Sequence, residues 1–201
     1  MEKEILDNHQ RYLERVNFYR SSGYDLEKER DFILDKSMPI SGEILEIGTG
    51  KGHFALALAK RGHSFISIDV SSQDQEIAML NLRYYGLEKQ AVFKIENAEH
   101  LSFSDQSFDM IFCVNVFHHL KNPQMVLKEM TRLLWPSGKI ILSDFSPKGL
   151  EIINACHMRE GKTHDYFKNY LEEAKDYLSK KGFEIAESQS GVQEIIIARY
   201  I

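Results

Sequence analysis

Apolar positions along the chain fall into two rhythms. Short apolar runs at Ile44–Ile47, Ser64–Ile68, Ala91–Ile95, Phe108–Val114 and Lys139–Ser143 read as buried strands. Segments with helical spacing separate them. His53–Lys60 carries Phe54, Ala55, Leu56 and Leu58; the segment after Ser72 carries Ile77, Leu80 and Tyr84; the one after Pro123 carries Val126, Leu127, Met130, Leu133 and Leu134. Gly62 and Gly86 fall where helices should stop. Ser72 with Gln75 predicts a capping box, Asn122–Pro123 an N-cap followed by a first helical residue, and Trp135–Gly138 a turn into the fifth strand. Five alternations of strand and helix predict the α/β class, with a parallel sheet, right-handed crossovers and helices on both faces.

The flanks differ in texture. Ile5, Leu6, His9, Tyr12, Leu13, Val16 and Tyr19 recur at helical spacing until Ser21-Ser22-Gly23. Asp25 then caps a second predicted helix carrying Leu26, Phe32, Ile33 and Leu34. Two readings stay open for these helices. They cover one end of the sheet, or they close a lid over a site, with Tyr12, Tyr19 and Tyr24 as lining candidates. After the core, Pro147–Arg159 predicts a short helix and Thr163–Lys181 an amphipathic one bearing Phe167, Tyr170, Leu171, Ala174 and Leu178. Phe183–Glu187 and Glu194–Tyr200 then read as an antiparallel hairpin at the sheet's edge, turning at Ser188–Gly191.

Composition narrows the class without naming a chemistry. The net charge of −5 and pI of about 5.9 argue against a nucleic-acid scaffold, which needs a basic face. Cys113 and Cys156 have no metal-ligand spacing, and no metal is expected. No apolar run reaches the ~18 residues of a membrane span, and Met1-Glu2-Lys3-Glu4 does not open a signal peptide, so a cytoplasmic protein without membrane contact is expected.

The chemistry is concentrated in Ile44–Gly52. A strand runs into Gly48-Thr49-Gly50-Lys51-Gly52, and a helix follows. Glycines there permit positive φ and let a ligand approach the backbone. The helix start leaves amide hydrogens free to face it. Asp69 ends the next strand, placed to accept from a ribose diol. Strand ends at Glu46–Gly50, Asp69, Asn97-Ala98 and Cys113–Asn115 converge on one edge, where such sheets bind ligands. Two cofactor classes use this geometry. The dinucleotide pattern would want a small residue at His53, whereas an acid two residues before the first glycine, Glu46-x-Gly48-x-Gly50, fits motif I of the class I S-adenosylmethionine-dependent methyltransferases.

The resemblance to that family extends over Gly42–Ile201. It is carried by Leu45–Gly52, Ile68–Ser71, Asn97–Phe103, Ser107–Ile111 with Val116–Leu120, and Leu134–Lys139, and is greatest for the small-molecule branch that includes ubiquinone and menaquinone biosynthesis enzymes. It implies a Rossmann-like three-layer αβα sandwich: a seven-stranded, mostly parallel sheet with an antiparallel last strand, plus the N-terminal helices. Residues 1–201 would form one domain: a helical lid or cap (1–41), a cofactor-binding core (42–145), and a substrate-side insertion with the last helix and hairpin (146–201). The implied reaction is transfer of a methyl group from S-adenosylmethionine to a small-molecule acceptor; a homodimer is the candidate assembly.

Carried over by position, the resemblance gives Gly48, Thr49 and Gly50 the methionine part of the cofactor, and lets Glu46 support the turn. Asp69 takes the ribose hydroxyls, Val70 packs on adenine, and Asn97 replaces the usual aspartate toward the adenine amino group. Ala98 offers its amide, and Cys113 and Val114 with Asn115 offer carbonyls to the cofactor's amino group. His118 and His119 are candidate bases for a hydroxyl acceptor, with His157, His164 and Asp144 further candidates; either member of the His-His pair could instead simply pack. A nicotinamide-dependent oxidoreductase and a non-catalytic S-adenosylmethionine-binding protein are the rivals.

Overall fold

The computed structural model describes residues 2–159 and 170–200. Seven strands form one sheet: β1 (Ile44–Ile47), β2 (Phe65–Asp69), β3 (Ala91–Ile95), β4 (Phe108–Val114), β5 (Leu134–Phe145), β6 (Phe183–Gln189) and β7 (Gln193–Tyr200), in the order β3-β2-β1-β4-β5-β7-β6. Pairings from β3 through β5 are parallel, and β7 is antiparallel to both β5 and β6. The expected fold class and the edge hairpin are therefore observed. The order reverses between β1 and β4, which opens the crevice such sheets use for ligands.

Among the described residues, seven α-helices accompany the strands: α1 (Lys3–Ser21), α2 (Leu26–Lys36), α3 (His53–Lys60), α4 (Ser72–Tyr84), α5 (Pro123–Leu133), α6 (Pro147–Arg159) and α7 (Tyr170–Lys180). The period-two alternation of β4 shows why the sheet is covered twice. Ile111 and Cys113 join a core with α5 and α7, including Val126, Met130 and Leu178. Met110, Phe112 and Val114 join a core with α1–α4, including Val16, Ile33, Leu56 and Leu82. A smaller cluster ties Tyr19, Tyr24 and Leu26 to Ile153 and Cys156 of α6 and to Val192.

Several local expectations are corrected. Ser71, not Ser72, caps α4, accepting from the Asp74 N–H at 3.2 Å. Gln75 is instead buried, and its Nε2 donates to Thr49 Oγ1, Ser67 O and Lys94 O. The most buried positions of α4 are Gln75, Ala78, Asn81 and Leu82, while Ile77, Leu80 and Tyr84 are only half-buried. Asn122 makes no side-chain cap; its Nδ2 donates to the Glu99 carboxylate. Leu134 already pairs with Phe108 as the first residue of β5. Trp135–Gly138 is a bulge inside that strand, because pairing resumes at Met110 with Lys139. Asp25 does cap α2, accepting from Lys28 N–H. Of the helix expected over 163–181, the described part is Tyr170–Lys180; Phe167 and His164 lie outside the described residues.

Candidate active site

The ends of β1, β2 and β4 and the loop after β3 enclose a cavity of about 480 Å3. Of the predicted site residues, Glu46, Gly48, Thr49, Gly50, Asp69, Val70, Asn97, Ala98, Val114 and His119 line it. Cys113 and His118 do not: Cys113 is fully buried one residue below the rim, with its thiol pushed up by burial.

The glycine loop has the shape that its sequence requires. Gly48 has φ +86°, and a Cβ there would lie 2.1 Å from Val116 Cγ2, so a larger residue would displace the wall of the cavity. Its N–H and that of Thr49 donate to Ile68 O at 2.8 and 3.0 Å, tying the loop to β2. Asp69 completes the tie. Its Oδ2 accepts from Gly50 N–H at 2.7 Å and its Oδ1 from Ser71 N–H at 2.9 Å. Each carboxylate oxygen keeps a further lone pair for a ligand hydroxyl. Val70 beside it is 70% exposed, an apolar surface on the cavity wall.

Beneath the loop runs a buried polar chain. Gln75 Nε2 reaches Thr49 Oγ1 at 3.1 Å, Thr49 and Ser67 hydroxyls are 2.6 Å apart, and Ser67 Oγ donates to Glu46 Oε2 at 2.6 Å. Each donor in this order points toward the Glu46 carboxyl. Burial nevertheless pushes that carboxyl up to about 8, the Ser67 hydrogen bond offsetting only part of the effect. A cationic ligand in the cavity would restore its charge.

Sequence reasoning missed the contribution of α2. Arg30 is buried, lines the cavity, and donates from Nη1 to the Tyr24 hydroxyl at 3.1 Å. With the Asn115 amide oriented to satisfy its neighbours, Arg30 Nη2 also donates to its oxygen at 2.9 Å. The buried Nε of Arg30 has no hydrogen-bond partner among the described residues. Asn115 itself holds φ +55° at the end of β4, a conformation uncommon outside glycine. None of the three candidate tyrosines lines this cavity. Tyr24 buttresses Arg30 and Asn115, Tyr19 meets His157 Nε2 at 3.3 Å, and Tyr12 lines two adjoining cavities. His157 is thus placed against α1 rather than in the cavity.

The His-His pair divides in two. His119 is exposed on the cavity rim. His118 is buried, and its Nδ1 lies 2.7 Å from Asp144 Oδ1. The carboxylate can only accept, so Nδ1 carries a proton. Among the described residues no group of three or more His, Cys, Asp or Glu could hold a metal, and no helix is long and apolar enough to cross a membrane.

Residues 45–142 match a family model described as a methyltransferase domain. A ubiquinone biosynthesis O-methyltransferase of Aeromonas salmonicida is 30% identical over 146 residues, covering 69% of this chain and 61% of that protein. Methyltransferase GfsG of Streptomyces halstedii is 29% identical over 136 residues, covering 64% of this chain and 49% of that protein. The chain thus spans from about half to three-fifths of the length of these curated relatives. A solved S-adenosylmethionine-dependent methyltransferase from Methanosarcina mazei superposes with a TM-score of 0.65 at 26% identity, over 84% of this chain and 97% of that one.

Proposed function

The chain belongs to the class I S-adenosylmethionine-dependent methyltransferases, and on that premise we propose that it methylates a small-molecule acceptor, by in-line attack of an acceptor hydroxyl. One observation carries the reading: a glycine loop, a carboxylate with lone pairs to spare and an apolar wall meet around one cavity at the sheet's switch point.

The residues fit the cofactor's parts. Asp69 would take the ribose diol, Val70 and Ala98 the adenine faces, and Asn97 the adenine edge. Gly48 and Gly50 admit the methionine chain without a Cβ in the way. Glu46 would meet positive charge, and Arg30, whose Nε has no hydrogen-bond partner among the described residues, the cofactor's carboxylate. The first two helices then act as a lid, since α2 supplies Arg30.

Bound S-adenosylmethionine supplies a methyl group already activated on a sulfonium. The protein's share is alignment of the acceptor and exclusion of water. For a hydroxyl acceptor, the His118–His119 pair supplies the candidate base: Asp144 holds His118, and the His119 ring beside it stands on the cavity rim. The O-methyltransferase names among the relatives support this choice of nucleophile.

The test is transfer of radioactive methyl from S-adenosylmethionine into a panel of hydroxylated small molecules, with S-adenosylhomocysteine formed in equal amount. Label in amines or thiols alone would overturn the hydroxyl assignment. S-adenosylhomocysteine binding without label transfer anywhere would reduce the chain to a cofactor-binding protein.

A further inference from the structure

The first residue of β7 breaks the pattern of its own strand. Ile195 and Ile197 lie on the face that packs against α1–α4, and Gln193 shares that face by the period of two. Gln193 is nevertheless fully buried. An amide in an apolar row costs folding energy unless its hydrogen bonds are made. Here they are made. The side-chain amide of Gln193 lies 2.8 Å from Ser143 Oγ, 2.9 Å from the Tyr24 hydroxyl and 2.5 Å from the side-chain amide of Asn115.

Two of these partners lead to the cofactor cavity. Asn115 lines it at the end of β4, where the backbone is held at φ +55°. Tyr24 stands behind Arg30, which also lines the cavity and donates from Nη1 to the Tyr24 hydroxyl at 3.1 Å. Gln193 and Tyr24 themselves do not line it. The third partner, Ser143, fastens the amide to the neighbouring strand β5. The turn before β7 grips α2 a second time. Ser190 Oγ donates to Glu29 Oε2 at 2.5 Å and accepts from the Val192 and Gln193 N–H groups at 3.1 and 3.0 Å. Glu29 is buried and precedes Arg30 on α2. The hairpin thus holds α2 at adjacent residues, Glu29 directly and Arg30 by way of Tyr24.

We propose that Gln193 is a positioning residue for methyl transfer: it orients Asn115 and, through Tyr24, Arg30 toward the amino-acid end of the cofactor. This role rests on the methyltransferase reading, in which Arg30 meets the cofactor's carboxylate. Removing the amide would leave buried hydroxyl and amide groups unpaired and let Arg30 turn away, although Gln193 itself touches no ligand.

The experiment titrates S-adenosylhomocysteine and methylthioadenosine by calorimetry into the parent, Gln193→Met, Arg30→Met and the double variant, with a melting curve for each. Methionine fills the place of glutamine without its hydrogen bonds. Gln193→Met should weaken S-adenosylhomocysteine by about tenfold, the scale of a lost hydrogen bond to a charged group, and change methylthioadenosine, which lacks the amino-acid end, by less than about twofold. In the Arg30→Met background the same substitution should cost less than in the parent, because both act through one network. A residue that only packs would lower the melting temperature and weaken both ligands alike. Equal losses for the two ligands, full additivity with Arg30→Met, or unchanged S-adenosylhomocysteine affinity overturns the proposal. If Gln193→Met does not fold, Tyr24→Phe, which cuts the same link by one hydroxyl, is read by the same outcomes. Failure of the parent to bind S-adenosylhomocysteine strikes the methyltransferase reading itself; parental binding with an unaffected variant strikes only the role of Gln193.

Discussion

Asp144 grips His118 twice: its Oδ1 lies 2.7 Å from the ring Nδ1, and its Oδ2 accepts from the backbone N–H at 3.1 Å. The strand end of β5 thereby fixes the position of a residue in the turn after β4 and keeps a proton on its Nδ1. Asp144→Asn keeps the size but offers an amide where the ring needs an acceptor only. We expect kcat to fall roughly 10²–10⁴-fold, the range of a positioned general base, with S-adenosylhomocysteine affinity unchanged. A purely structural pair would instead lower thermal stability and leave kcat per folded molecule intact, which steady-state kinetics beside a melting curve would detect.

Glu46 gives a pH dependence with a definite sign. Its ordinary value is 4.5, and burial raises it to about 8 in the folded protein. Between those values the folded state binds the extra proton, so stability without cofactor falls as pH rises through this window. A cationic ligand favours the carboxylate, so cofactor binding should expel the proton. Affinity for S-adenosylmethionine should climb by up to about tenfold per pH unit below about 8 and level off above it, and Glu46→Gln should flatten the slope. Calorimetry at neutral pH in buffers of different ionisation heat counts the proton released; a count of zero contradicts this account.

Gly52 caps α3 with φ +75°, and a Cβ there would lie 2.5 Å from Ala78 Cβ and 2.8 Å from Ala78 Cα. The neighbour includes backbone and cannot swing aside. Gly52→Ala should therefore cost roughly 2–4 kcal/mol, from left-handed backbone and overpacking together. Urea denaturation measures it, and a loss below about 0.5 kcal/mol, the scale of an ordinary surface change, would contradict the close packing of α3 on α4.

Arg30 separates the parts of the cofactor. Arg30→Met should weaken S-adenosylhomocysteine by about 1.5–3 kcal/mol, the worth of a hydrogen bond to a charged group. Methylthioadenosine, which lacks the amino-acid end, should bind both proteins equally. Equal losses for the two ligands would mean that Arg30 acts only by holding Tyr24 and Asn115 in place.

How much of this was legible follows from where the information lies. β1, β3, β4, α3 and α6 coincide with their sequence expectations because apolar runs and helical spacing mark them locally. Gly48, Gly50 and Asp69 were readable because backbone conformation and a ribose diol demand particular residue types. The start of β5 was not, since Trp135–Gly138 has turn chemistry and only the distant pairing of Leu134 with Phe108 makes it a bulge. The buried face of α4 was misread because Gln75 and Asn81 are polar. Their burial depends on carbonyls and a hydroxyl from β2, β3 and the glycine loop, and on the Asn8 amide of α1, which donates to Asn81. Arg30 carries no local signal in the sequence; its burial emerges only once α2 packs over the crevice.

The most direct test is calorimetric titration of S-adenosylhomocysteine into the parent chain and Asp69→Ala. The parent should bind at a single site, and the variant should lose about 1–3 kcal/mol through missing hydrogen bonds to the ribose while remaining folded. Equal affinity in the two proteins, or tight NADH binding with none for S-adenosylhomocysteine, would contradict the assignment.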